Sequence, residues 1–313
     1  MESSNRTMVT YFVLKGITNV PRLEVPISLL VLLMYLLTLG GNMTILLLVC
    51  SEPQLHTPMY FFLCNLSVLD ISSSTATLHR IFVLFFTGDN RISVFGCMTQ
   101  IFMFLTLTTD QLLLLAAMSF DRYVAVCDPM HYSMVMNRTV CALLAASSWL
   151  LGIVEISPIF WTISGFSCYR SNEINHFLCD IIPLMKLSCN DKSFLELYLF
   201  TEGYFVGCFC PFLMTFVSYV LIIITILKIP SSNGRRKTFY TCSSHLTVVV
   251  LLYATLVIQY LSPNSTNSLE SNKLFSLFNT ATVPLLNPLV YSLKNNNVKS
   301  ALRRRLRLCK LMF

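Results

Sequence analysis

Charged side chains are scarce in this chain, making up 12% of 313 residues, where a soluble fold carries about 25%. That shortage excludes a pair of ordinary soluble domains. Glycine-rich phosphate loops are missing, and no grouping of Ser, His and acid gathers at one depth along the chain, so an enzyme is not expected. Cys-x-x-Cys pairs and Cys/His zinc spacings are also absent, and no metal or other cofactor is expected. The twelve cysteines are too dispersed for a disulfide-built miniprotein. No cleavable leader is expected either, because Met1 to Arg22 is polar and the first apolar run is long, with no small-residue cleavage pattern after it.

Apolar residues are what the chain has instead, at 55%. They fall into seven blocks: Pro26 to Cys50, Pro58 to Phe86, Phe95 to Cys127, Thr139 to Trp161, Phe194 to Leu227, Phe239 to Leu261 and Lys273 to Leu293. Each reaches the roughly 20 helical residues that cross a bilayer. The expected fold is an all-α membrane protein: an amino-terminal segment 1–25, a seven-span bundle 26–293 and a tail 294–313.

The net charge of +7 does not point to nucleic acid, since the basic residues are scattered outside the apolar blocks with no aromatic-rich motif beside them. They bear on topology. Arg122, Arg138, Lys228, Arg235, Arg236, Lys237 and the basic tail fall on one side of a seven-span arrangement, which places that side in the cytoplasm and the amino terminus outside. Asn5-Arg6-Thr7, a glycosylation acceptor at Asn5, agrees with this orientation. The tail sets Leu302, Leu306 and Leu308 among arginines, and reads as a short amphipathic helix on anionic membrane lipid. Cys309 within it is a candidate for palmitoylation.

Between the fourth and fifth blocks the connection Thr162 to Ser193 carries Cys168, Cys179 and Cys189, and Cys97 opens the third block on the same side. Four cysteines allow three pairings, and spacing does not choose among them.

Polar residues inside the blocks are functional candidates, because hydrocarbon penalises each of them. Asp70 lies midway along the second block, with Asn42 and Asn287 able to surround it if their helices pack together. Asp110 and Gln111 follow in the third, while Glu155 and Glu202 either face a cavity or are solvated. Pro284 and Pro288 interrupt the last block and bend it. Met118 to Cys127 places Asp121, Arg122 and Tyr123 at the end of a long apolar run. Such a cluster is either a helix-end anchor or a working element.

Several stretches together resemble the rhodopsin-like G-protein-coupled receptors, and within them the vertebrate olfactory receptors. Gly41-Asn42 looks like the first-helix signature of that family. Leu55-His56-Thr57-Pro58-Met59-Tyr60-Phe61-Phe62-Leu63, with Asn65-Leu66-Ser67 and Asp70, follows its second-helix motif. Met118 to Cys127 is similar to the third-helix signature, with Ser119 and Phe120 where alanine and tyrosine are usual. Ser218-Tyr219, the run Lys237 to Leu246, and Pro284-Leu285-Leu286-Asn287-Pro288-Leu289-Val290-Tyr291 match the fifth, sixth and seventh. Gln111 stands where the family often has glutamate, and Ala254 where glycine is usual.

The resemblance implies a receptor for a small, mostly apolar odorant, coupled to a stimulatory G protein that raises cyclic AMP. It implies bridges Cys97 to Cys179 and Cys168 to Cys189, and a switch built from Asp121, Arg122, Tyr123, Tyr219, Asn287, Pro288 and Tyr291. A relative serving a metabolite outside the nose would carry the same motifs. Receptors for amines carry an aspartate where this chain has Phe104, so no ammonium salt bridge is expected at that position, and opsins need a lysine within the last helix, so a light sensor is not expected. The competing class is a small ion transporter using Asp70, Asp110 and Glu155, but the two halves show no internal repeat.

The third block covers roughly 37 Å between Cys97 and Arg122 at 1.5 Å per residue, enough to touch both a ligand and an inner partner. The expected pocket is lined by Phe104, Leu105, Thr108 and Thr109 from the third helix and by Gly203, Val206 and Gly207 from the fifth. Tyr253, Leu256, Val257 and Tyr260 share one face of the sixth and complete it.

Overall fold

Proline and glycine punctuate the chain where its helices begin and end. In the computed structural model, which describes residues 9–18, 20–261, 273–294 and 296–312, α1 (Pro21–Ser51) opens on a proline whose missing N–H no helix would have used. The second helix, α2 (Pro58–Thr87), begins the same way and stops at Gly88, whose φ of 69° is left-handed and suits a residue without Cβ. Ser93 caps α3 (Val94–Cys127) by accepting from the Gly96 amide at 3.0 Å. After the short α4 (Tyr132–Val135), Asn137 caps α5 (Arg138–Ser164) through the Val140 amide at 3.0 Å.

The next span runs unbroken from Ser193 to Lys228. It consists of α7 (Ser193–Tyr198), a π-helical stretch Leu199–Phe209, and α8 (Cys210–Lys228). Before it, α6 (Ile181–Leu187) occupies part of the long connection. The sixth span, α9 (Ser232–Leu261), is bent by 41° between Ser232–Tyr240 and His245–Ile258. The seventh starts at Lys273, passes through π-helical Phe278–Thr282, and continues as α10 (Val283–Lys294). The tail forms α11 (Asn296–Met312).

Five helices are long and apolar enough to cross a membrane on their own and the bent α9 makes a sixth; with the Lys273–Lys294 span this is a seven-span helical bundle. Its surface requires lipid. Leu29, Leu30, Leu33, Leu36 and Leu37 of α1 are all more than half exposed, an apolar stripe that water would penalise. The core lies along α3, which packs against α2, α5 and α8 and is buried through most of its length.

One end of the bundle is closed by a small sheet. Strand β1 (Tyr11–Leu14) pairs antiparallel with β2 (Arg91–Ser93) and parallel with β3 (Glu173–Ile174). Phe12, fully buried, meets Tyr169 edge-on at 5.0 Å. The sheet thus ties the amino-terminal segment to the long connection after α5.

Candidate functional site

The centre of the bundle is organised around Asp70, fully buried on α2. Gln111 of α3 donates its amide to Oδ1 at 2.7 Å, and Asn287 Nδ2 lies 2.9 Å from both carboxylate oxygens. Asn42 does not hydrogen-bond Asp70 among the described residues. Its amide donates to the Pro284 carbonyl at 3.2 Å, which Pro288, four residues on and without an N–H, leaves unsatisfied. Gly41 explains the close approach. A Cβ there would sit 3.0 Å from the Pro288 ring, so the Gly41-Asn42 pair both admits the kinked helix and satisfies its free carbonyl.

At the end of α3 away from the sheet, Asp121 is buried and pairs with Arg122 through Nη2 and, at 2.8 Å, through Nε. Tyr132 of α4 donates to the other carboxylate oxygen at 2.7 Å. Burial, and then the charge of Asp121, raises the Tyr132 phenol above its ordinary pKa, so it stays a donor. Tyr219 and His245 share a 2.6 Å hydrogen bond between α8 and α9, and Tyr219 also donates to the Cys242 carbonyl at 3.3 Å. Tyr123 packs against this group. Ser119, where alanine is usual in the resembling family, joins α3 to α8 by a 3.4 Å contact with Thr215.

The sheet end holds both disulfides, Cys97 to Cys179 and Cys168 to Cys189. Gln100 accepts from the Cys179 amide at 3.0 Å and donates to the Ala76 carbonyl at 3.0 Å, seating the connection between α2 and α3. His176 is buried there, and burial together with the nearby Lys273 ammonium pushes its imidazole down to about 3. Lys273 Nζ donates to Asn175 at 2.7 Å.

Between the two ends, the structure buries Phe104, Thr109, Gly207, Tyr253 and Leu256 and half-buries Leu105, Thr108 and Gly203. The Thr108 hydroxyl is occupied by the Phe104 carbonyl at 2.8 Å. Val206 and Val257 are 48% and 46% exposed. The side chains of Tyr260 and Tyr291, like Asn5 and Cys309, lie outside the described residues. A crevice lined by Gly16, Ile17, Arg80 and Phe177 opens elsewhere, beside α1 and α2.

Three residues that matter here were not singled out from the sequence. His245 and Tyr132 are polar groups in or beside apolar runs, a signal that was legible. Glu52, 2% exposed in the turn after α1, pairs with Arg304 and Arg305 of α11. An acid in a short loop carries no such mark.

A seven-span bundle with a polar centre on its second, third and seventh spans, and an acid–arginine pair closing the third, is a G-protein-coupled receptor. The family model described as "Olfactory receptor" matches residues 31–309. Olfactory receptor 5B21 from Homo sapiens is 44% identical over 95% of this chain and 96% of its own length. Olfactory receptor 5AR1 from Mus musculus is 42% identical over 97% of this chain and 98% of its own. The chain belongs to the olfactory receptor family, a multi-pass plasma-membrane protein and not an enzyme.

Proposed function

We propose that this receptor binds small volatile, mostly apolar molecules between α3, the span Ser193–Lys228 and α9, and activates a stimulatory G protein to raise cyclic AMP. The amino terminus is extracellular, Asn5 carries glycan, and the tail lies on cytoplasmic membrane lipid. Residues 1–25, 26–293 and 294–313 then divide into outer segment, receptor domain and inner tail. Phe104, Leu105, Thr108, Thr109, Gly203, Gly207, Tyr253, Leu256 and Tyr260 line the pocket. Asp121, Arg122, Tyr123, Tyr219, Asn287, Pro288 and Tyr291 form the switch.

The observation that carries this reading is the closed Arg122–Asp121 pair at the end of the same helix whose other end holds the Cys97 bridge. A ligand that packs differently against α3 in two arrangements biases the release of Arg122 toward the G protein. The test is cyclic AMP in cells displaying the full chain, challenged with a diverse odorant panel. Agonists are expected, with potency shifted by Thr109→Val. A well-displayed receptor silent toward the panel, or unshifted curves for Thr109→Val and Tyr260→Phe together, counts against the reading.

A further inference from the structure

Two acids inside the bundle are left without a counterpart by everything described so far. Asp110 of α3 is 1% exposed, and neither of its carboxylate oxygens has a hydrogen-bond partner. Its carboxylate rests on Gly152 of α5, where any Cβ would overlap it. Three residues along the same helix, Glu155 rests on Gly207 of the π-helical stretch in the same manner, and its Oε1 is also buried and unpartnered. Each acid therefore occupies space that only glycine on the facing helix leaves open.

Asp110 and Glu155 are close enough to repel one another, and Glu202, partly exposed, stands beyond Glu155. Among the described residues no Lys, Arg or His forms an ion pair with Asp110 or Glu155. Asp70, by contrast, has amide donors on both oxygens. Carboxylates buried at membrane depth without donors are unfavourable until a proton or a cation joins them. Cys208 is near enough to feel Glu155, and Tyr253, whose buried hydroxyl is also unpartnered, is near enough to feel Cys208. The acids therefore neighbour a residue of the expected pocket.

We infer that Asp110 and Glu155 form the recognition site for the protonated head of a small primary amine, whose alkyl part lies toward Tyr253 and Leu256. Asp110 Oδ1, Asp110 Oδ2 and Glu155 Oε1 are three empty acceptors, and a primary ammonium brings three N–H donors. Such charge-assisted bonds are stronger than those between neutral groups. The inference rests on the odorant-receptor reading for its biology, though binding itself is measurable without signalling.

The test uses the full chain purified in detergent, with thermal unfolding followed in hexylamine, hexan-1-ol or sodium chloride. Hexylamine at saturation is expected to raise Tm by a few degrees, while hexan-1-ol and sodium leave it unchanged. Asp110→Asn, which preserves volume, and Glu155→Gln each weaken the hexylamine effect by roughly tenfold in apparent affinity. An absent hexylamine shift, an equal shift with hexan-1-ol or with sodium alone, or a shift undiminished in both variants overturns the inference. If Asp110→Asn fails to fold, Glu155→Gln alone decides. Cyclic AMP separates the two readings: hexylamine binding by a receptor that is silent toward the whole odorant panel keeps this site and removes the signalling reading. Neutral odorants acting equally on wild type and Glu155→Gln, with hexylamine inert, do the reverse.

Discussion

Gln111 holds Asp70 across the α2–α3 interface by an amide-to-carboxylate hydrogen bond of 2.7 Å. With Asn287 on the same carboxylate, three spans meet at one buried acid held by side-chain amide donors. Gln111→Leu keeps the volume but removes one donor, and should cost about 1–3 kcal/mol of stability. In an Asp70→Asn background the same change should cost less, because no charge is then left short of a donor. Thermal unfolding of the four proteins measures the difference; strictly additive losses would show that the pair does not act as a unit.

Asp121 takes Arg122 on one oxygen and Tyr132 on the other, so the acid holds both the end of α3 and the loop helix α4. Arg122→Ala should abolish ligand-stimulated cyclic AMP while surface display persists. Asp121→Asn acts in the opposite sense: it weakens the hold on Arg122 and should raise signalling in the absence of ligand. Both are read from cyclic AMP normalised to surface immunostaining. A basal level unchanged in Asp121→Asn would mean that this pair does not restrain the receptor.

Much of this was legible in the sequence, and what was not has a common cause. The third span was readable because polarity stops its apolar run abruptly at Asp121. The reason for Gly41-Asn42 was not, since it lies in the Pro284 carbonyl more than two hundred residues away. Where Val206 and Val257 face is not legible either, because spacing identifies a helical face but not its direction. In lipid both faces are apolar, so the outward leucines of α1 look like core. The π-helical stretch Leu199–Phe209 carries no proline or charge run to announce it. Glu52 is unmarked in the sequence because its partners come from the other end of the chain.

His176 makes the sheet end sensitive to acid. Its ordinary value is 6.5, and in the folded protein burial and Lys273 bring it down to about 3. Unfolding exposes an imidazole that takes up a proton below pH 6.5, whereas the folded form stays neutral until about pH 3. Stability is therefore complete above pH 6.5 and falls as pH drops through that window. The loss is about 1.4 kcal/mol at pH 5.5 if this group acts alone. His176→Gln should flatten the dependence of Tm on pH between 7 and 5. An unchanged slope in the variant would assign the effect to another group.

The tail helix is fastened by Glu52. Arg305 Nε donates to its Oε1 at 2.7 Å, Arg305 Nη2 donates to the Ser51 carbonyl at 2.6 Å, and Arg304 pairs with Oε2. Both arginines are about half exposed while Glu52 is 2% exposed, so most of the cost of a lost partner falls on the acid. Arg305→Ala alone leaves Arg304 in place and should cost about 1 kcal/mol. Removing both arginines strands a buried carboxylate and should cost about 3 kcal/mol, more than the two single losses together. Glu52→Gln in the double-arginine background should recover part of it, because the stranded group is then neutral. Hydrogen exchange across residues 296–312 follows the detachment directly. Protection that survives the double substitution would show that Val298 and Ala301, buried against the bundle, hold the helix without the ion pairs.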